Sequence, residues 1–107
     1  MAEIIHGTDA SFEQDVVKSA VPVLVKFWSP SCDMCKAMMK SVDDLAEEYS
    51  DKIKVVKINV VENREKATSL GLRGIPTLMI WKNGESVALN VGMMMRGRLQ
   101  QFIDSAI

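Results

Sequence analysis

Apolar and polar positions along the chain change period several times, and each period predicts a different element. Glu3–His6 reads as a short first strand. Ser11-Phe12-Glu13-Gln14 has the form of a capping box. It predicts a helix to about Ser19 with Phe12, Val16 and Val17 facing inward. From Val21 to Trp28 the residues are nearly continuous in β-branched and aromatic types, which predicts a central strand covered on both faces. Apolar residues then recur at Cys35, Met38, Met39, Val42, Leu45, Ala46 and Tyr49, one stripe of a long helix starting close to Cys32 and ending near Ser50. Lys54–Val60 alternates as a third strand, with Ile53 available to extend it. Asn63–Leu70 has helical character and stops at Gly71, a suitable C-terminal cap. Thr77–Trp81 is a further apolar strand, and Asn83-Gly84 after it is a strong hairpin signal that makes Ser86–Val91 its antiparallel partner. Leu99, Phe102, Ile103 and Ala106 mark the inner face of a last helix.

The order is therefore β-α-β-α-β-α-β-β-α. It predicts an α/β fold: a central mixed sheet of about five strands, four helices on its two faces, and right-handed crossovers in the parallel part. At 107 residues the chain suits one domain, 1–107, with no repeat or linker. Its 48% hydrophobic and 25% charged residues are those of an ordinary globule. The Val21–Trp28 run is too short to span a bilayer, and Met1–Gly7 lacks the basic and apolar regions of a signal peptide. Thirteen basic residues against 14 acidic ones give no electrostatic reason to bind nucleic acid. The expectation is a cytoplasmic monomer engaging neither membrane nor nucleic acid.

Composition changes the picture only at the two cysteines, Cys32 and Cys35. So close a pair is a weak staple, because closing a short loop removes little entropy from the unfolded chain. Its spacing suits chemistry in which one sulfur attacks and the other resolves. Cys32 falls after the central strand and at the start of the long helix, where free N–H groups and the positive end of the helix dipole favour a thiolate. Helix direction predicts an exposed Cys32, the nucleophile, and a buried Cys35, the resolving thiol. An inert pair or half of a metal site is the bland alternative.

Around these cysteines the chain resembles the thioredoxin family along essentially its whole length. The resemblance is carried by Ser11-Phe12, Val23-Leu24-Val25, Phe27-Trp28, Cys32-x-x-Cys35-Lys36, Lys57-Ile58-Asn59, Leu70-Gly71-Leu72-Arg73-Gly74-Ile75-Pro76-Thr77, Lys82-Asn83-Gly84-Glu85 and Val91-Gly92. It implies the thioredoxin fold, protein disulfide reduction and a cis Ile75-Pro76 bond beside the cysteines. A cis bond there would leave the Ile75 backbone free to pair with an extended substrate. A docking surface of Ile75 and Pro76 with Gly74, Gly92, Met34 and Met93 follows. The resemblance also implies a separate thioredoxin-reductase-type electron donor. No bound cofactor is needed, since the dithiol carries two electrons, and no metal site is expected.

Departures from the family pattern qualify this. The family usually has Trp-Cys-Gly-Pro-Cys where this chain has Ser31-Cys32-Asp33-Met34-Cys35. The intervening dipeptide tunes redox potential, and the Asp33 charge opposes the helix terminus at Cys32. Lys26 stands where a buried aspartate is usual and would share a pocket with Lys57. Three readings stay open: a cation stabilising the Cys35 thiolate, a neutral base with lowered pKa, or a side chain snorkelling to water. Lys40, in place of a kinking proline, predicts a straighter long helix. Met38, Met39 and Met79 are expected in the core, while Met94 and Met95 lead into the last helix without an assigned function. The lone histidine, His6, is expected on the surface far from Cys32, so a Cys-His pair is not expected. Trp28 is expected beneath the active-site loop, Trp81 in strand packing, and Lys36 in solvent.

The favoured reading is a protein disulfide reductase in which Lys26 and Lys57 set the electrostatics. Its alternatives are an oxidant or isomerase of raised potential, a dimeric metal or iron–sulfur carrier, and a non-catalytic module that binds through Ile75–Pro76.

Overall fold

A computed structural model describes residues 4–107, so Glu3 of the expected first strand lies outside the described residues. Strands β1 (Ile4–Gly7), β2 (Val23–Trp28), β3 (Lys54–Asn59), β4 (Thr77–Lys82) and β5 (Glu85–Val91) lie side by side in the order β1-β3-β2-β4-β5. The first three are parallel, and β4 and β5 are antiparallel to their neighbours, which gives the mixed sheet that the pattern predicts. Three α-helices, α1 (Asp33–Glu48), α2 (Arg64–Ser69) and α3 (Arg96–Asp104), accompany a π-helical turn at Glu13–Val17.

Alternation along β2 divides the core. Leu24 points to one face with Val55, Leu78 and Ile80, where it meets Met38, Val42 and Leu45 of α1 and Leu99 and Ile103 of α3. Val23, Val25 and Phe27 point to the other, packing with Val56, Ile58 and Met79 against Phe12 and Val16. Both faces of β2 are thus covered, as its nearly continuous apolar run predicts. Trp81 packs edge-on against Phe12, with ring centroids 5.4 Å apart. The hairpin turn has φ of 55° at Asn83 and 80° at Gly84, backbone that an Asn-Gly pair adopts readily.

Two expectations need correction. The first helix is shorter and wider than its periodicity suggests: Lys18 N–H reaches back five residues to Glu13 O at 2.9 Å. The Ser11 side chain also turns back instead of capping forward. Thr8 N–H donates to Ser11 Oγ at 2.9 Å and Ser11 N–H donates to Thr8 Oγ1 at 3.0 Å, which closes the turn before the helix, and the N-cap, Phe12, has no side-chain bond. Met39, expected in the core, is 43% exposed because it lies at the margin of the buried stripe of α1. Met38, Met79 and also Met94 are buried. Helix α1 runs without interruption through Lys40, which is paired with Asp44 at 3.0 Å on the solvent side.

The register gathers three loops at one end of the sheet. Phe27 is opposite Thr77, and Thr77 is opposite Val91. The residues following Trp28, those preceding Thr77 and those following Val91 therefore emerge side by side.

Candidate active site

The loop after β2 turns at Ser29-Pro30-Ser31, closed by Cys32 N–H donating to Ser29 O at 3.2 Å. Cys32 is then the N-cap of α1, with extended backbone (φ −86°, ψ 105°), and its Sγ accepts the Cys35 N–H at 3.1 Å. One of the N–H groups of the first helical turn is thus aimed at the Cys32 sulfur, a setting that favours a thiolate. Cys32 and Cys35 form a disulfide across a Cα–Cα distance of 5.2 Å. Cys35 is buried, as predicted. Cys32 is half-buried rather than fully exposed, because the helix-capping geometry draws its sulfur against the first turn.

Lys26 enters behind the pair. The residue is 2% exposed, and its Nζ donates to the Cys35 carbonyl at 2.8 Å. The amine therefore stays inside, and the snorkelling reading does not hold. Burial first, then the nearby Lys57 charge, lowers its pKa from 10.5 to about 8, with Asp43 pulling weakly upward. Lys57 is itself held by Asp43 at 2.6 Å. The two cations do share a pocket: Lys26, Lys57, Cys35, Trp28, Met39 and Lys36 line a cavity of about 120 Å³.

His6 lines the same cavity, which the sequence reading missed. The signal lay in the parallel pairing: His6 is in register with Lys57, and Lys57 with Lys26, so the three form one row across β1, β3 and β2. His6 is exposed, as expected, but at the mouth of the cavity behind Cys35.

The Ile75-Pro76 bond is cis, as the resemblance implies. Pro76 is buried, while Gly74, Ile75 and Gly92 are half-buried. Pro76 O accepts Gly92 N–H at 2.8 Å, which ties the loop before β4 to the residue after β5. Met34 and Met93 are 48% and 45% exposed at this end of the sheet. Among the described residues no cluster of side chains has the make-up of a metal site, and no helix is long and apolar enough to cross a membrane.

A paired N-cap cysteine and a helix-buried partner, on a mixed sheet, define the class: a dithiol–disulfide oxidoreductase. Residues 3–105 match the family model described as Thioredoxin. The chain is 43% identical to a thioredoxin of Haemophilus influenzae over 107 residues, which is 100% of each chain. It is 44% identical to one of Pseudomonas aeruginosa over 104 residues, 97% of this chain and 96% of that one. It is also 46% identical to "Thioredoxin 1" of Synechococcus elongatus over 97 residues, 91% of each. The chain belongs to the thioredoxin family, and it has the thioredoxin fold.

Proposed function

We propose that this chain works as a monomeric, cytoplasmic, single-domain reductase of protein disulfides, recharged by a separate thioredoxin-reductase-type donor. The observation that carries the reading is the Cys32–Cys35 pair at the first turn of α1, with Cys35 N–H on Cys32 Sγ. The Cys32 thiolate attacks one sulfur of the substrate disulfide, forming a mixed disulfide and releasing the other sulfur as a thiolate that takes a proton. The Cys35 thiolate then attacks Cys32 Sγ, and the second substrate sulfur leaves. Two electrons pass to the substrate and the Cys32–Cys35 disulfide is the product.

Lys26 and Lys57 act as positioning residues in this reading. Lys26 holds the Cys35 carbonyl and shares a cavity with Cys35, and burial first, then the Lys57 charge, lowers the pKa of its amine. Met34, Gly74, Ile75, Pro76, Gly92 and Met93 form the docking surface, a reading supported by the register that sets their loops side by side.

Exchange is tested by mixing the pre-reduced protein with a protein disulfide. Cys32→Ser abolishes it, and Cys35→Ser accumulates a mixed disulfide detectable by mass. If Cys32→Ser exchanges at the native rate, the assignment of the nucleophile fails. The equilibrium potential tests direction: about −270 mV supports a reductase, and about −180 to −120 mV reverses the direction.

A further inference from the structure

Strand β5 is the outer strand of the sheet beside β4, and its exposed face is apolar where an outer strand is ordinarily polar or charged. Val87, Leu89 and Val91 are 47%, 58% and 54% exposed. Leu89 and Val91 are in register with Met79 and Thr77, so they share one face of the sheet. Val87 is the residue left unpaired by the irregularity opposite Ile80 and Trp81. No charged residue and no proline interrupts Ser86–Val91.

The stripe is continuous with the loops next to the redox pair. Gly74 lies against Val91, since a Cβ placed on Gly74 would stand 3.7 Å from Val91 Cγ1. Gly92, the next residue, is bonded to Pro76 O at 2.8 Å. From Val91 to Val87 an extended chain covers about 13 Å, the reach of four or five substrate residues. Three half-exposed side chains fall far short of the ~800 Å² per partner of a stable interface, so the stripe suits a transient substrate better than a second copy of this chain.

We propose that the outer face of β5 is the distal part of the substrate surface. It takes an extended segment with alternating apolar side chains that adjoins the target disulfide of a protein substrate. This rests on the exchange reading above and names the class of substrate it prefers. Val91 takes the residue nearest the disulfide, and Leu89 and Val87 take the next two apolar positions.

The test uses the whole chain, pre-reduced and in single turnover. Three probes are compared: a disulfide-linked peptide flanked by Val-x-Leu-x-Val, the same peptide with serine at those positions, and 5,5′-dithiobis(2-nitrobenzoate). The expected result is reduction of the apolar peptide about tenfold faster than the serine peptide, the order expected from covering two apolar side chains. Val87→Thr with Leu89→Thr, which keeps β-forming residues on the strand, should bring that ratio within about twofold and leave the small disulfide unchanged. Equal rates for the two peptides in the native chain overturn the proposal, and so does a preference that survives the double substitution. A native chain that is dimeric by light scattering, made monomeric by the substitutions with peptide rates unchanged, assigns the stripe to a second copy and overturns it too. Failure to reduce even the small disulfide is a different result, because it overturns the exchange reading itself.

Discussion

A lysine amine held at 2.8 Å from the Cys35 carbonyl, in a residue 2% exposed, meets two opposing demands. Burial favours the neutral amine, and a nearby thiolate favours the cation. With its pKa at about 8, the amine is mostly cationic at pH 7 in the disulfide form. A cation there lowers the energy of a Cys35 thiolate and does little for the neutral disulfide, so it favours the reduced pair. Lys26→Met should therefore make the potential more negative by about 30 mV at pH 7, a tenfold change in the exchange equilibrium. The difference should shrink as pH rises past 8, because the native amine is then losing its charge. Thiol trapping against dithiothreitol ratios at pH 7 and 9 measures both, and an unchanged potential at pH 7 leaves Lys26 with only its hydrogen bond to Cys35. At this scale the cysteine pair, the burial of Cys35 and the Lys26 anomaly were legible, since an ionic residue in an apolar strand stands out. His6 was not legible as a cavity residue, because its place depends on pairing between strands fifty residues apart in the chain.

Among the elements, α2 depends most on distant chain. It has six residues, and no side chain at its own N-cap, Asn63, bonds its free N–H groups. Asp9 does so from the segment after β1. Its two carboxylate oxygens accept Glu65 N–H at 3.2 Å and Lys66 N–H at 2.9 Å, while Asp9 N–H donates to Asn63 Oδ1 at 3.0 Å. A carboxylate at a helix N-terminus also meets the positive end of the dipole. Asp9→Ala should cost about 1–2 kcal/mol in urea unfolding, and Asp9→Asn should recover part of that loss. The loop that leads to Ile75 follows α2, so the same substitution should slow exchange with a protein disulfide more than with a small one. A loss below about 0.3 kcal/mol in Asp9→Ala makes the tether incidental. The order of elements along the chain, helix α1 and the β4–β5 turn were legible because each rests on local period or turn chemistry. The Asp9 tether was not, because it joins segments far apart in the chain, and neither was the backward bonding of Ser11, whose hydroxyl can serve a helix start or the turn before it.

For the whole molecule, burying Lys26 has a consequence that runs opposite to ordinary alkaline destabilisation. Below pH 8 both the folded and unfolded chains hold the proton, and the folded state bears the full cost of an interior cation. Between about 8 and 10.5 the unfolded chain still holds it while the folded chain has released it, so stability rises with pH. Each pH unit in that window contributes at most about 1.4 kcal/mol, and with the amine partly screened by solvent the whole window contributes about 1–2 kcal/mol. Above 10.5 both states are neutral and the gain is complete. The cysteines take no part if the protein is kept oxidised, because a disulfide does not titrate. Urea unfolding of the oxidised chain at pH 7 and 9.5 should therefore show a gain of about 1 kcal/mol over the same measurement on Lys26→Met. At pH 7 the Met variant should be the more stable protein, since an apolar side chain of similar length fills the site without the buried charge. The two proteins should converge as pH approaches 10. Parallel curves at all pH values would mean that the amine reaches water in solution, and the Lys26 contribution to the Cys35 potential would fall with it.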